Sequence, residues 1–497
     1  MTIWFDVEDL FHYFRSGNKR ISGIQRLTFE IYRAARELDP ANIRFVRHGA
    51  RPRSFLVVDW DELAIDLEQE NPTEPAAANE PQPVGEGAAP PTDGSSLRRI
   101  ARQAADRLPA KIRRPLVAAS VMQLQAIAAA GLFATRLLTV PAAATARRSA
   151  QLASQAYRQA LRKPARAPDA GQHANFETLI KPGDTFLVLG APWQREGYRE
   201  LARWLRDDKR MRFGVLVHDL VPVRYPEWCH HGVPRTFRAW YDDVLPYCDL
   251  VLANSQHTAH DVEAYARESA IRLPGPVQPV PIGTGFGMTA PHASTPRNPA
   301  LPPRGSYVLF VATLEARKNH ALAVRVWSLL VDEVNQGRRA PDTVPTLVFA
   351  GRFGWLIADL LTQLENTRWL SGKVQLVRDP TDTDLRALYE GCLFTLFPSL
   401  HEGWGLPVTE SLALGKPCLS SNAAALPEAG GDLCRYFDPQ DLGSAYRAIA
   451  EILDNRPGLA AWEERVRREF RPVPWFASAR ALLDAVGQLD APARTAS

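Results

Sequence analysis

Residues 397–432, FPSLHEGWGLPVTESLALGKPCLSSNAAALPEAGGD, limit the fold more than any other part of the chain. Just before and into this stretch, residues 392–397 (CLFTLF) are continuously apolar, which predicts a strand buried on both faces of a parallel sheet. A loop with Gly403 and Gly405 follows, Pro407 stands at the expected first helical position, and Gly415 and Pro417 close the helix. Glu402 in the loop and Glu410 in the first turn flank this element. Amides from Gly403 to Val408, Pro407 excepted, can converge on an anion, and the helix dipole favours one there. The glycines let the backbone approach closely. A diphosphate has acceptor oxygens and no donors, so N–H groups suit it. Sugar hydroxyls donate, so carboxylates suit them, each charged hydrogen bond contributing about 1.5–3 kcal/mol. The expected ligand is a phosphorylated sugar compound.

A chain of 497 residues exceeds what one core organises, which predicts two domains and something extra. Five scattered cysteines without a CxxC pair indicate neither a disulfide framework nor a zinc site, and fit a reducing cytosol. The opening MTIWFDVEDLFHYF lacks a basic region followed by an apolar core, so no signal peptide is expected. The net charge of +4 is uneven: residues 96–163 hold 13 Lys and Arg against Asp106 alone, or +12, leaving −8 for the rest. Residues 67–95, rich in Pro, Ala, Glu and Gly, are expected to be a disordered linker. Residues 96–163 have helical character, and two readings stand. One is a basic amphipathic segment at an anionic membrane surface; the other is a solvated helical insertion. The uncharged run 115–135 is long enough to span a bilayer but too rich in Ala, Gln and Ser to do so well.

Elsewhere the chain alternates strands and helices. Strands are expected at 2–7, 43–46, 55–60, 185–189, 213–217, 249–253, 307–312, 347–350 and 374–377. Helices are expected at 27–38, from 384 to 389, and at 475–489, with Ser255 capping a further one. Several strands end in polar residues, where an open α/β sheet places its ligands. The run Gly283-Thr-Gly-Phe-Gly287 lacks the strand–turn–helix context of a dinucleotide fingerprint. The Pro-rich residues 291–304 form the natural interdomain linker.

The segment from Glu402 to Glu410, with Gly415-Lys-Pro417, Ser421-Asn422 and Leu426-Pro-Glu428 after it, resembles the E-x7-E region of retaining family-four glycosyltransferases of the GT-B fold. Three other segments support the likeness. Arg20-Ile-Ser-Gly-Ile-Gln-Arg26 is similar to a glycine loop that faces the interdomain cleft in one branch, against the plain alternative of a βα turn with Arg26 on a helix surface. His218-Asp219-Leu-Val-Pro222 resembles the H-D-x-x-P strand end, which would turn His218 toward the transferred sugar rather than leave it structural. Thr313-Leu-Glu-Ala-Arg-Lys-Asn319 resembles the diphosphate-binding segment, with Lys318 as the phosphate lysine. Thr313 stands where many members carry arginine, Ala312 replaces a glycine, and Arg317 is assigned as the second cation from proximity.

The resemblance implies an α/β GT-B architecture, two Rossmann-like domains facing a cleft, with an insert in the first. The expected boundaries are 1–66 and 176–295 for the N-terminal acceptor domain, 67–175 for the insert, 296–470 for the donor domain, and 471–497 for a crossing helix and tail. The implied activity is metal-independent, retaining transfer of a hexose from a nucleotide diphosphate sugar, GDP-mannose favoured, to a saccharide or lipid-linked saccharide acceptor in surface polysaccharide synthesis. Glu402, His218 and Lys318 would be catalytic. Thr313, Arg317, Gly403, Trp404, Gly405, Leu406 and Glu410 would bind the donor, and Gly23, Ile24, Arg26 and Asp219 would form the acceptor-side loop. No metal, no further cofactor and no nucleic-acid partner is expected. The expected location is cytoplasmic, at the inner membrane face if residues 96–163 bind it. The alternatives are a non-catalytic saccharide-binding scaffold and another GT-B enzyme, such as a sugar-nucleotide epimerase or a phosphorylase.

Overall fold

The computed structural model describes residues 1–15, 21, 23–49, 53–61, 63, 176–285 and 298–489. The expected linker and basic segment at 67–163, Ser22, Gly287 and residues 291–297 lie outside the described residues. Among the described residues no helix is long and apolar enough to cross a membrane.

Two sheets organise the chain. The first lobe carries β1 (Ile3–Asp6), β2 (Ile43–His48), β3 (Phe55–Val58), β4 (Thr185–Val188), β5 (Arg212–Val217), β6 (Leu250–Ala253) and β7 (Gln278–Pro279). Their order is β3-β2-β1-β4-β5-β6-β7, parallel except for β3 against β2. The second lobe carries β8 (Tyr307–Val311), β9 (Thr346–Gly351), β10 (Val374–Arg378), β11 (Thr395–Phe397), β12 (Cys418–Ser421) and β13 (Arg435–Phe437). Their order is β10-β9-β8-β11-β12-β13, all parallel. Both are doubly wound, and the order reverses between β1 and β4 and between β8 and β11. Ligands of such sheets bind outside the strand ends at that reversal. The expected α/β class with two Rossmann-like sheets is therefore what the chain forms.

Burial follows strand position. β1, β4 and β6 are buried throughout, as continuous apolar runs in the middle of a parallel sheet require. The strand expected at 392–397 is shorter, beginning at Thr395. Cys392 instead ends the preceding helix, its amide donating to Leu388 O, so the apolar run divides between a helix end and a strand. That helix, Asp382–Gly391, begins two residues before the expected 384, because Thr381 and Asp384 form a reciprocal capping box. Ser255 caps Gln256–Glu268 as expected, its hydroxyl accepting from Thr258 N at 2.9 Å.

The C-terminal helix, Trp475–Gln488, crosses back to the first lobe. Trp475, Ala479, Leu482 and Val486 are buried among Phe5, Leu27 and Ile31. The chain is fixed where it arrives, with Thr284 N donating to Val473 O at 2.8 Å.

Candidate active site where the two lobes meet

The loops after β8 and β11, the two strands at the second lobe's reversal, bring Arg317, Lys318 and Glu402 together. Leu400 N donates to Arg317 O at 2.9 Å, and Asn319 Nδ2 donates to Pro398 O at 3.2 Å, tying loop to loop. Asn319 adopts φ 62° and ψ 38°, a left-handed conformation that asparagine tolerates, and it turns the chain into helix His320–Asn335. Glu402 accepts from Arg317 Nη1 at 2.6 Å on one oxygen and from Lys318 Nζ at 2.6 Å on the other. Arg317 also donates to His401 O at 2.7 Å and to Glu315 Oε1 at 2.8 Å. Burial by itself would raise the Glu402 carboxyl, but Arg317 and Lys318 outweigh it and hold the group down at about 2. Burial opposes the charge of Arg317, yet Glu402, Glu315 and Asp219 together keep its pKa above the ordinary arginine value. This is a fixed charge cluster in which two cations share one carboxylate.

Gly403 packs directly against the first lobe. A Cβ there would lie 1.7 Å from His218 O at the end of β5, so no other residue fits without moving one lobe. Thr258 Oγ1 donates at 3.4 Å toward both His218 O and Gly403 O. His218 is buried, its Nε2 2.6 Å from Leu189 O. Nε2 must donate there, which in the neutral ring leaves Nδ1 as the acceptor. Burial holds this imidazole below its ordinary pKa, against the hydrogen bond to Leu189 and the charge of Asp219. Asp219 Oδ1 accepts from Val221 N at 3.0 Å. Gly405, at φ 132°, precedes helix Leu406–Ala413, with Leu426 Cδ2 2.7 Å from where a Cβ would stand. Trp404 packs on the apolar cores of both lobes and Leu406 on that of the first. Thr313 lies against Gly354 of the second lobe.

Glu410 is buried and accepts from Tyr389 Oη at 2.9 Å. Burial raises its carboxyl pKa despite the charge of Arg26 and the tyrosine hydrogen bond. Arg26 comes from the first lobe, on helix Ile24–Leu38, which follows Gly23 at φ 55°. Its Nη2 pairs with Asp382 of the second lobe at 2.6 Å. The first-lobe residue expected in the acceptor-side loop thus reaches the neighbourhood of Glu410.

Sequence reasoning missed several groups here. Glu315 and Asp382 complete the charge clusters. The Glu428 carboxylate accepts from Gln256 N at 2.8 Å and His257 N at 2.7 Å, at the start of a first-lobe helix. Asp9, half-buried against Gly190, has its carboxyl raised to about 7, first by the water its packing removes and then by Asp6. A first strand followed by Asp-Val-Glu-Asp was the available signal.

The chain is similar to known proteins in the following ways. The family model of glycosyl transferases group 1 matches residues 294–469. A serotype-specific mannosyltransferase WbdA of Escherichia coli is 26% identical over 270 residues, 52% of this chain and 31% of that protein. An O-antigen chain mannosyltransferase B of Escherichia coli is 32% identical over 149 residues, 30% of this chain and 37% of that protein. The chain therefore spans about a third of the length of these relatives. Among solved structures, sucrose-phosphate synthase from Thermosynechococcus elongatus aligns with TM-score 0.46 and 21% identity, covering 61% of this chain and 73% of that one. TarM aligns with TM-score 0.46 and 12% identity, covering 63% and 57%. The matched residues 294–469 carry Arg317, Lys318, Glu402 and Glu410, so it is the second lobe and its charge cluster that are similar to glycosyl transferases group 1.

Proposed function

We propose that the chain transfers a hexose, with retention, from a nucleotide diphosphate sugar to a saccharide or lipid-linked saccharide acceptor in surface polysaccharide synthesis. Mannose carried on GDP is the favoured donor, since the relatives at 26–33% identity include mannosyltransferases. The observation that carries the reading is the Arg317–Glu402–Lys318 cluster at the reversal point of the second sheet, beside the amides that open helix Leu406–Ala413. Breaking a sugar–phosphate bond puts negative charge on the leaving diphosphate. Two cations held by a carboxylate, together with the 403–406 backbone, are positioned to take up that charge, a preorganised effect worth several kcal/mol.

In this reading Lys318 and Arg317 face the diphosphate, with Thr313 beside them. Glu402 holds donor-sugar hydroxyls once the diphosphate shares its cations. Glu410, supported by Tyr389, accepts from the ribose, and Trp404, Gly403, Gly405 and Leu406 shape the donor wall. His218 and Asp219 border the transferred sugar from the first lobe, while Gly23, Ile24 and Arg26 flank the acceptor side. No protein nucleophile is assigned, and the transfer itself needs no metal. Residues 96–163 are the candidate contact with a membrane surface bearing the acceptor.

The test is thermal shift with GDP-mannose, GDP-fucose, UDP-glucose, UDP-N-acetylglucosamine and the free nucleotides, on the wild type and Glu410→Ala. A ligand at 100 times its Kd adds about 2.7 kcal/mol to stability. The expected result is a shift with guanine nucleotides that the variant loses. A folded protein that no nucleotide shifts would favour the non-catalytic scaffold.

A further inference from the structure

We propose that His257, Asp261 and His401 form a divalent-cation site of the zinc class that straps the first lobe's helix Gln256–Glu268 to the second-lobe loop carrying Glu402. The three side chains come from both lobes, and one ligand atom from each lies within 4.8 Å of the others. His257 Nε2 and His401 Nε2 each stand 3.7 Å from the same oxygen, Asp261 Oδ2. That separation is beyond a hydrogen bond. It is a few tenths of an ångström longer than the ~3.4 Å edge expected between ligand atoms of a tetrahedral zinc centre with bonds of about 2.0–2.1 Å.

His401 is buried, its side chain 6% exposed, so the Nε2 that faces Asp261 is shielded from bulk water. The surroundings suit a bound cation. Arg224 Nε lies 3.9 Å from Asp261 Oδ1, placing a cation beside the oxygen that does not face the imidazoles. Such outer partners orient metal ligands. The Tyr225 ring packs 5.2 Å from His401, closing one side, and the Glu428 carboxylate on His257 N adds negative charge nearby. Two imidazoles and one carboxylate suit zinc and leave one coordination position open.

Such a strap holds the residue immediately before Glu402, and so acts on closure of the lobes rather than on the diphosphate. It is independent of the donor assigned above, and its test reads the metal directly. Chelator-treated, tag-free full-length chain is titrated with zinc chloride by calorimetry, with bound metal counted after dialysis. The expected result is one equivalent bound to the wild type, with affinity at least tenfold weaker in both His257→Ala and Asp261→Asn. The double variant His230→Ala, His231→Ala, which alters two exposed histidines outside the cluster, binds as the wild type does. Cobalt substituted at the site gives the absorption of a four-coordinate centre. A wild type that binds no stoichiometric zinc overturns the proposal. So does zinc bound equally well by both cluster variants, which would place the metal elsewhere. Should His257→Ala fail to fold, Asp261→Asn, nearly isosteric, decides alone.

Discussion

Replacing Glu402 with glutamine tests the charge cluster before any substrate is known. The carboxyl is carried from an ordinary 4.5 down to about 2 by Arg317 and Lys318, against the burial that would raise it. At ~1.36 kcal/mol per pH unit, that difference stores about 3 kcal/mol of native-state stability. Glutamine keeps the shape and removes the charge, leaving two cations without their shared partner. Breaking a buried pair costs about 3–5 kcal/mol. Arg317 keeps Glu315 and His401 O, and the two cations are 16% and 14% exposed, so water offsets part of the loss. We expect a cost of about 3 kcal/mol, which for a lobe of this size lowers its calorimetric Tm by roughly 6–12 °C. The assay is differential scanning calorimetry of both proteins without donor, from pH 7 to pH 2. The folded carboxyl is depressed, so its stabilisation is complete above 4.5 and lost as the pH falls through about 2. The gap between wild type and variant should therefore close on acidification. Adding Lys318→Met to the variant should restore part of the stability, since it removes one uncompensated cation. A variant melting within about a degree of wild type at pH 7 would refute the reasoning, as would a gap that does not change with pH.

Two further outcomes follow from the contact between lobes. Gly403→Ala places a methyl 1.7 Å from His218 O, so the lobes must separate by more than an ångström. Each lobe should keep its melting temperature, while small-angle scattering shows a larger radius and nucleotide-dependent transfer falls by about tenfold or more, as misplacement of about 1 Å does. Glu428→Gln weakens the bond to the Gln256 and His257 amides by about 1 kcal/mol, since the carboxylate lies at a helix N-terminus. Urea unfolding at low and high salt checks it, with the difference from wild type shrinking as salt rises.

What could be foreseen divides by sequence distance. The strand–loop–helix around Glu402 was legible because its signals are local: an apolar run, two glycines, a proline near the helix start and a glycine after its end. The Thr381–Asp384 capping box was equally local and was overlooked. Partners were not legible. Arg26 meets Asp382 across 356 positions and Lys318 meets Glu402 across 84, and nothing in either segment alone specifies which acid it takes. Motif likeness named Lys318 and Glu402 as neighbours of one ligand. It did not foresee that they would be neighbours of each other. Trp404 shows the same limit: a tryptophan between two glycines gave no sign that it would pack on both apolar cores.

The contacts between the lobes fall into two physical kinds, and the difference bears on how the proposed donor would enter. The crossing helix Trp475–Gln488 sinks an apolar face into the first lobe's core, a contact that removes large side chains from water and is costly to undo. The contacts around the site are mostly small and polar. Among the described residues they include Arg26 with Asp382, Glu428 with two amides, Thr258 Oγ1 with Gly403 O, Arg352 Nη2 with Tyr13 Oη at 2.5 Å, and Trp355 Nε1 with Trp228 O at 2.8 Å. Net hydrogen bonds contribute about 0.5–1.5 kcal/mol each, and water replaces them when they part. Trp404 and Leu406 add apolar area, but at one place. Interfaces of this polar kind within a chain favour relative motion of the parts. On the function proposed above, the apolar crossing helix would serve as the fixed attachment, and the polar contacts around Glu402 as the side through which a donor passes.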